Sequence, residues 1–140
     1  VLYRRPVSEF VADFVGATNF FDASLEQLAS DRARLTMIGR SFDLPMHTDA
    51  FQGATVGYRA GIRPELIRFA DTAGCDVRIE AQVIDEVFGG STVTLICRAD
   101  GGHVFALETA GFSEGIPAKG DRLVAGWNAQ DMNIFNQKGE

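Results

Sequence analysis

Cysteine is nearly absent from this chain. Cys75 and Cys97 are isolated from each other and lie outside any Cys-x-x-Cys pair, so a disulfide framework or a zinc knuckle is not indicated and two small buried strand residues is the simpler reading. His47 and His103 have neither the close spacing nor the neighbouring thiols of a zinc motif; His47 reads as a loop residue and His103 as a strand start. Lysine is as scarce. Of the 13 basic residues only Lys119 and Lys138 are lysines, and neither closes a Gly-rich loop able to cradle a triphosphate. No hydrophobic strand ends in an acidic pair that would hold magnesium. Apolar runs never approach the roughly 20 residues of a membrane-spanning helix, and no signal peptide is present. Proline numbers 4, so long disordered tracts are not expected. The net charge of −6 excludes a duplex nucleic-acid surface, which requires a basic footprint, although Arg4-Arg5 could still make a local polyanion contact.

What the chain does have is periodicity. Val7, Phe10, Val11, Phe14 and Val15 fall on one stripe of a helical cylinder, with Pro6 and Ser8 as the start signal and Gly16 as the stop. Burying each Phe is worth about 1.5–3 kcal/mol, so a helix this short exists to dock on something. After Asn19 the period becomes alternating. Strands are predicted over Phe20–Ala29, Arg32–Ile38, Arg40–Leu44 and Ala54–Ile62, with a short segment Arg63–Phe69 closing a first half. A second half runs Asp76–Phe88, Thr92–Arg98, His103–Thr109 and Asp121–Trp127, then a closing segment to Phe135. Gly39, Gly89-Gly90 and Asp100-Gly101-Gly102 are the hairpin turns; Pro45–Gln52 and Gly111–Lys119 are the loops.

The halves end alike. Gly53 and Gly120 open the last strand of each, and each strand is followed by an acid, three residues and a Phe: Glu65 to Phe69, and Asp131 to Phe135. This self-similarity points to a duplication. Each half is too small to bury its own strands, so two partial barrels sharing one core are expected. In that scheme Gly53 and Gly120 occupy turns of positive φ, Pro64 ends a strand ladder, Glu65 and Asp131 cap the short segments after them, and Phe69 and Phe135 return to the core.

Catalytic constellations are thin. A Ser-His-Asp set has no Gly-x-Ser-x-Gly elbow. Cys97 and His103 on adjacent antiparallel strands could form a thiol–imidazole pair, but a packed thiol beside a surface His is the simpler reading. Asp85 and Glu86 point to opposite faces of a strand. Met46-His47-Thr48-Asp49 reads as a solvated loop.

The pattern Tyr3-x-x-Pro6-x-Ser8-x-Phe10-Val11-Ala12-x-Phe14-Val15-Gly16-x-x-Asn19 resembles a junction in ATP-binding cassette (ABC) importer ATPases of the spermidine/putrescine, ferric-iron and maltose group. The similarity continues through Gly61-Ile62-Arg63-Pro64-Glu65 to Gly120-Asp121-x-Leu123-x-x-x-Trp127-x-x-x-Asp131-x-x-x-Phe135. In that family the nucleotide-binding domain ends at this junction and a C-terminal transport-associated OB (TOBE) domain begins. The resemblance implies a mainly β fold of duplicated OB-like partial barrels preceded by one short helix. Residues 1–17 would be the junction helix, and 18–140 a regulatory domain in halves 18–72 and 73–136. With no initiator Met, the chain is expected to be part of a longer one.

The resemblance further implies ATP and Mg²⁺ held by a preceding nucleotide-binding domain, with neither cofactor nor metal nor ATPase site in this chain. Its partners would be that domain, a second copy in a homodimer, and permease subunits at the cytoplasmic face of the membrane, with no nucleic acid. Phe10, Phe14, Gly16 and Asn19 are the candidate coupling residues at the junction; Arg63, Glu65 and Trp127 are candidate interface residues. The ending looks most like the polyamine importers, with ferric iron and other small solutes open. Two further readings stand beside this one. One is an oxyanion sensor using Gly89-Gly90-Ser91-Thr92 and Ser113–Gly115 as donors. The other is a free-standing single-strand binder of the OB type.

Overall fold

The computed structural model describes residues 18–46 and 58–136. The helix expected over Ser8–Val15, His47 and Gly53 lie outside the described residues. Among the described residues nine strands form: β1 Asn19–Ala29, β2 Arg32–Met37, β3 Arg40–Pro45, β4 Tyr58–Ile62, β5 Val77–Gly89, β6 Thr92–Ala99, β7 Val104–Ala110, β8 Arg122–Trp127 and β9 Asn133–Asn136. Two 3-10 turns, Pro64–Leu66 and Ala129–Asp131, come after β4 and β8.

Alternation builds the strands, because successive side chains point to opposite faces. Phe21 and Leu25 of β1, Ala33, Leu35 and Met37 of β2, and Phe42 and Leu44 of β3 are buried; so are Val77, Ile79, Ala81 and Val83 of β5 and Leu123, Ala125 and Trp127 of β8. These side chains form one continuous core across both sheets. The turns are where the glycines placed them. Gly39 and Gly90 have φ of 76° and 60°, and the adjacent Ile38 is drawn into the same left-handed region at 46°.

One sheet has the order β3-β2-β1-β4-β9 and the other β7-β6-β5-β8. The last strand therefore leaves its own half. β9 pairs with β4, with Asn133 opposite Gly61 and Ile134 opposite Ala60. The reverse exchange also occurs: Arg68, just past the first 3-10 turn, bridges to Gly126 of β8 through N–H···O bonds of 2.8 and 2.9 Å in both directions. Each half is thus closed by the segment that trails the other, and Gly61 and Gly126 are equivalent positions in that exchange. The same equivalence relates β3 to β7, each the edge strand beyond the central hairpin of its sheet.

Two expected roles are corrected. The Asp131 carboxylate reaches back to the backbone N–H of Asn128 at 3.3 Å, and the N–H that opens the second turn, Ala129, donates instead to Asp76 Oδ2 at 2.8 Å. Asp131 ends that turn and completes its capping box with Asn128, so its carboxylate points back at the turn it closes instead of forward to the segment that follows. Glu65 is exposed, and the cap position of its turn, Arg63, makes no side-chain cap. Phe69 packs against the core as expected.

Candidate interaction surfaces

Of the junction candidates, Asn19 is the one within the described residues. It is 5% exposed and its amide works in three directions. Oδ1 accepts the Ala106 N–H at 2.7 Å; Nδ2 donates to the Ala106 carbonyl at 2.8 Å and to the Ile62 carbonyl at 3.2 Å. β7 is an edge strand, whose free N–H and C=O groups would otherwise template pairing with another chain. One side chain stands in there for a strand partner and pins the entry of β1 to the second sheet.

Phe10, Phe14 and Gly16 lie outside the described residues. Arg63 and Glu65 are exposed beside the first 3-10 turn. Trp127 is not an interface residue: it is wholly buried, its ring stacked 6.0 Å from Phe21, because its position on β8 alternates inward with Leu123 and Ala125. Its indole N–H is buried without a hydrogen-bond partner among the described residues.

Two concavities flank the seam. The larger, of about 460 Å³, is lined by Phe20, Asp22, Ile38, Arg59, Gly101 and His103. Asp22 and Arg59 are cross-strand partners, and the Arg59 guanidinium lies 4.1 Å from the centre of the Phe20 ring, an arrangement of a cation over an aromatic face. His103 is half-buried, not a surface residue, and its ring sits 4.5 Å from that of Phe21. Burial pushes its pKa below the usual imidazole value, with the Asp22 charge acting in the opposite direction. The thiol–imidazole pair does not form, because Cys97 lies opposite Phe105 on the inward face. Its thiol is wholly buried, and that burial pushes its pKa up to about 12.

The smaller groove, of about 320 Å³, is bounded by Glu65, Glu108, Ser91, Thr92, Thr109 and Phe112 among others. Part of the donor set considered for an oxyanion is here, but two carboxylates share the groove, and their charge opposes an anion. Phe112 and Phe88 are 85% and 68% exposed at this same end of the sheet, where the Gly111 N–H ties the loop after β7 to the Ser91 carbonyl at 2.7 Å. Two solvent-facing aromatics at one end of a sheet make this a candidate contact surface. Sequence reasoning passes over both, although an aromatic inside a turn segment, Gly111-Phe112-Ser113, is a usable signal. Among the described residues no His/Cys/Asp/Glu group could hold a metal ion, and no helix is long and apolar enough to cross a membrane.

Comparison with known proteins agrees with this architecture. The family model described as "TOBE domain" matches residues 60–135. The spermidine/putrescine import ATP-binding protein PotA of Roseobacter denitrificans is 31% identical over 110 residues, covering 77% of this chain and 30% of that protein. PotA of Rubrobacter xylanophilus is 30% identical over 139 residues, 98% of this chain and 36% of that protein. The sn-glycerol-3-phosphate import ATP-binding protein UgpC of Brucella abortus is 30% identical over 146 residues, with 99% and 36% coverage. The chain therefore spans about a third of the length of these curated relatives. Among solved structures, the cytoplasmic molybdate-binding protein ModG aligns with a TM-score of 0.65 at 14% identity, covering 84% of this chain and 94% of that one, a likeness of fold. A family match over more than half the chain, on a body of two interlocked β-sheets, places this protein in the TOBE domain family.

Proposed function

We propose that this chain is the C-terminal regulatory and dimerisation domain of an ABC importer ATPase that energises uptake of a small solute, polyamines being the first candidate. The supporting observation is the span of the likeness: 98% of this chain aligns with only 36% of a spermidine/putrescine import ATP-binding protein. In this reading ATP and Mg²⁺ are bound by a preceding nucleotide-binding domain. Two copies work together on permease subunits at the cytoplasmic face of the membrane. The β body supplies what a regulatory domain needs, a stiff object whose halves cannot separate without breaking each other's sheets. Its contact face is the end of the second sheet that carries Phe88, Phe112 and the Glu65 groove. The similarity to a glycerol-phosphate import protein at the same level leaves ferric iron and other small solutes as alternatives to a polyamine.

The experiment is ATP turnover by the full coding sequence that contains this chain, reconstituted with its permease, beside the same protein carrying Phe112→Ser and Phe88→Ser. Solute-stimulated turnover that falls at least severalfold in the doubly substituted protein, with its secondary structure unchanged, is the expected result. Full-length protein without ATPase activity would overturn the reading. The oxyanion-sensor alternative is favoured only by the ModG likeness and opposed by Glu65 and Glu108. Calorimetry of this chain against molybdate, sulfate, spermidine and putrescine separates it: heat with the oxyanions alone is what it requires.

A further inference from the structure

The larger concavity, of about 460 Å³, falls within the size range of small-molecule sites, about 300–1,000 Å³, and both halves of the chain line it. Phe20 and Asp22 come from β1, Arg59 from β4 and Ile38 from the turn after β2, while Gly101 and His103 come from the turn between β6 and β7. Alternation puts the charged pair there. Phe21 and Ala60 turn into the core, so Phe20, Asp22 and Arg59 face the other way. Asp22 and Arg59 stand directly opposite in register, which sets their Cβ atoms about 4.5–5.5 Å apart. The Arg59 guanidinium is held 4.1 Å from the centre of the Phe20 ring, a contact that orders the fork before a ligand arrives and lowers the cost of binding. One carboxylate and one guanidinium therefore border the same cavity side by side. His103, its ring 4.5 Å from that of Phe21, adds no firm third charge, because burial disfavours its protonated form.

We propose that this cavity is a binding site for a small zwitterion of the α-amino-acid type, its carboxylate on Arg59 and its ammonium on Asp22. The charge pattern selects the class. A simple anion on Arg59 meets the Asp22 carboxylate beside it, and a simple amine on Asp22 meets the guanidinium, so a ligand with one charge gains one contact and incurs one repulsion. A molecule carrying both charges satisfies both groups. In an α-amino acid the ammonium nitrogen and the carboxyl carbon are about 2.5 Å apart, a separation that two converging side chains on paired strands can span. The Arg fork matches a carboxylate through two parallel hydrogen bonds, and the Asp carboxylate accepts from more than one donor at once. Phe20, 39% exposed, and the half-buried Ile38 offer apolar surface to the side chain of the ligand. A ligand on Arg59 and Asp22 also lies against Gly101 and His103 of the second half, so its binding favours the interlocked state by mass action. This inference stands on the cavity and its charges and is independent of the transport reading above.

The test is calorimetry of the full chain with L-leucine and L-phenylalanine, each beside its two single-charge counterparts. These are isoamylamine and isocaproate for leucine, and phenethylamine and hydrocinnamate for phenylalanine. An amino acid should bind saturably at millimolar concentration, and about tenfold or more tightly than either of its counterparts, the usual worth of a charge-assisted hydrogen bond. No saturable heat from either amino acid would overturn the proposal. So would a counterpart that binds within that tenfold margin, because one charge would then suffice. Arg59→Gln gives a second readout, with its unfolding midpoint measured alongside to show that the variant is folded. It should weaken amino-acid binding about tenfold or more, and an unchanged affinity would place the ligand elsewhere and overturn the assignment. If that variant does not fold, the ligand series on the unaltered chain decides.

Discussion

Gly126 is where the exchange between halves leaves no room for a Cβ, and Gly126→Ala is therefore a sharp test of the fold. A Cβ built there would lie 2.8 Å from Thr72 Cβ, 2.9 Å from Thr72 Cγ2 and 3.1 Å from Cys75 Sγ. None of these is the free end of a flexible chain. Thr72 and Cys75 are 7% and 8% exposed, and the Thr72 carbonyl is held by the Cys75 N–H at 3.0 Å. Relief must come from moving Gly126, whose N–H and C=O both pair with Arg68, so the strain falls on the bridge itself. Overpacking costs typically about 1–3 kcal/mol, and the upper part of that range is expected here, about 2–3 kcal/mol. For a chain of this size that lowers Tm by about 5–12 °C. The assay is urea or thermal unfolding monitored by the fluorescence of Trp127, the sole tryptophan and the next residue along. Gly74→Ala is the control: a Cβ at that position would have nothing within 4 Å of it, and the Gly74 φ is not positive, so the substitution should be neutral or slightly stabilising. Thr72→Gly removes both of the closest atoms and should recover part of the Gly126→Ala loss beyond additivity. A Gly126→Ala protein within about 0.5 kcal/mol of the parent, below the usual size of a core effect, would refute the packing argument.

Other perturbations have equally definite outcomes. Asn19→Ala leaves the Ala106 N–H and carbonyl unpaired at a buried edge, and unsatisfied buried groups cost about 1–3 kcal/mol; equilibrium unfolding should show that loss, and an unchanged midpoint would remove Asn19 from the seam. His103 is held neutral by burial, so the unfolded state binds its proton more readily. Stability should be fully present above the ordinary imidazole pKa of about 6.5 and fall as pH drops below it toward the lower folded value. His103→Gln should flatten that part of the pH profile, and an unaltered profile would contradict the assignment. Cys97, with its thiol raised to about 12 and no exposed surface, should resist a thiol reagent at pH 8 until the protein unfolds; rapid native labelling would contradict its burial.

Much of the strand pattern is legible in the sequence because alternation is a local signal. Arg32–Ile38, Asp76–Phe88, Thr92–Arg98 and Asp121–Trp127 match the observed strands to within a residue or two, and Gly39, Gly90 and Gly101-Gly102 sit at positive φ in the turns. The pairing of trailing segments is not legible in the same way. Nothing local in Met132-Asn133-Ile134 says that it adds to β4 instead of to its own sheet; that choice is made by the shared core, where Ile134 packs. The sequence anchors also align Glu65 with Asp131, whereas the backbone equates Gly61 with Gly126 and the two 3-10 turns in step, so Glu65 faces a groove while Asp131 ends a turn. Among the candidate residues, Asn19 stands out in the sequence by its place after the helical stripe, but its role on the β7 edge depends on a long-range contact. Trp127 draws notice as the lone Trp, and alternation along β8 is enough to assign it to the core. Arg59 over Phe20 needs the tertiary structure, whereas the exposed Phe112 is signalled by its place inside a turn segment.

The account turns on this β body acting within an import ATPase, and ATP turnover by the full-length protein reconstituted with its permease tests that most directly. It predicts solute-stimulated hydrolysis that drops severalfold when Phe88 and Phe112 are both replaced by Ser. Absence of hydrolysis, or turnover indifferent to both substitutions, would contradict it.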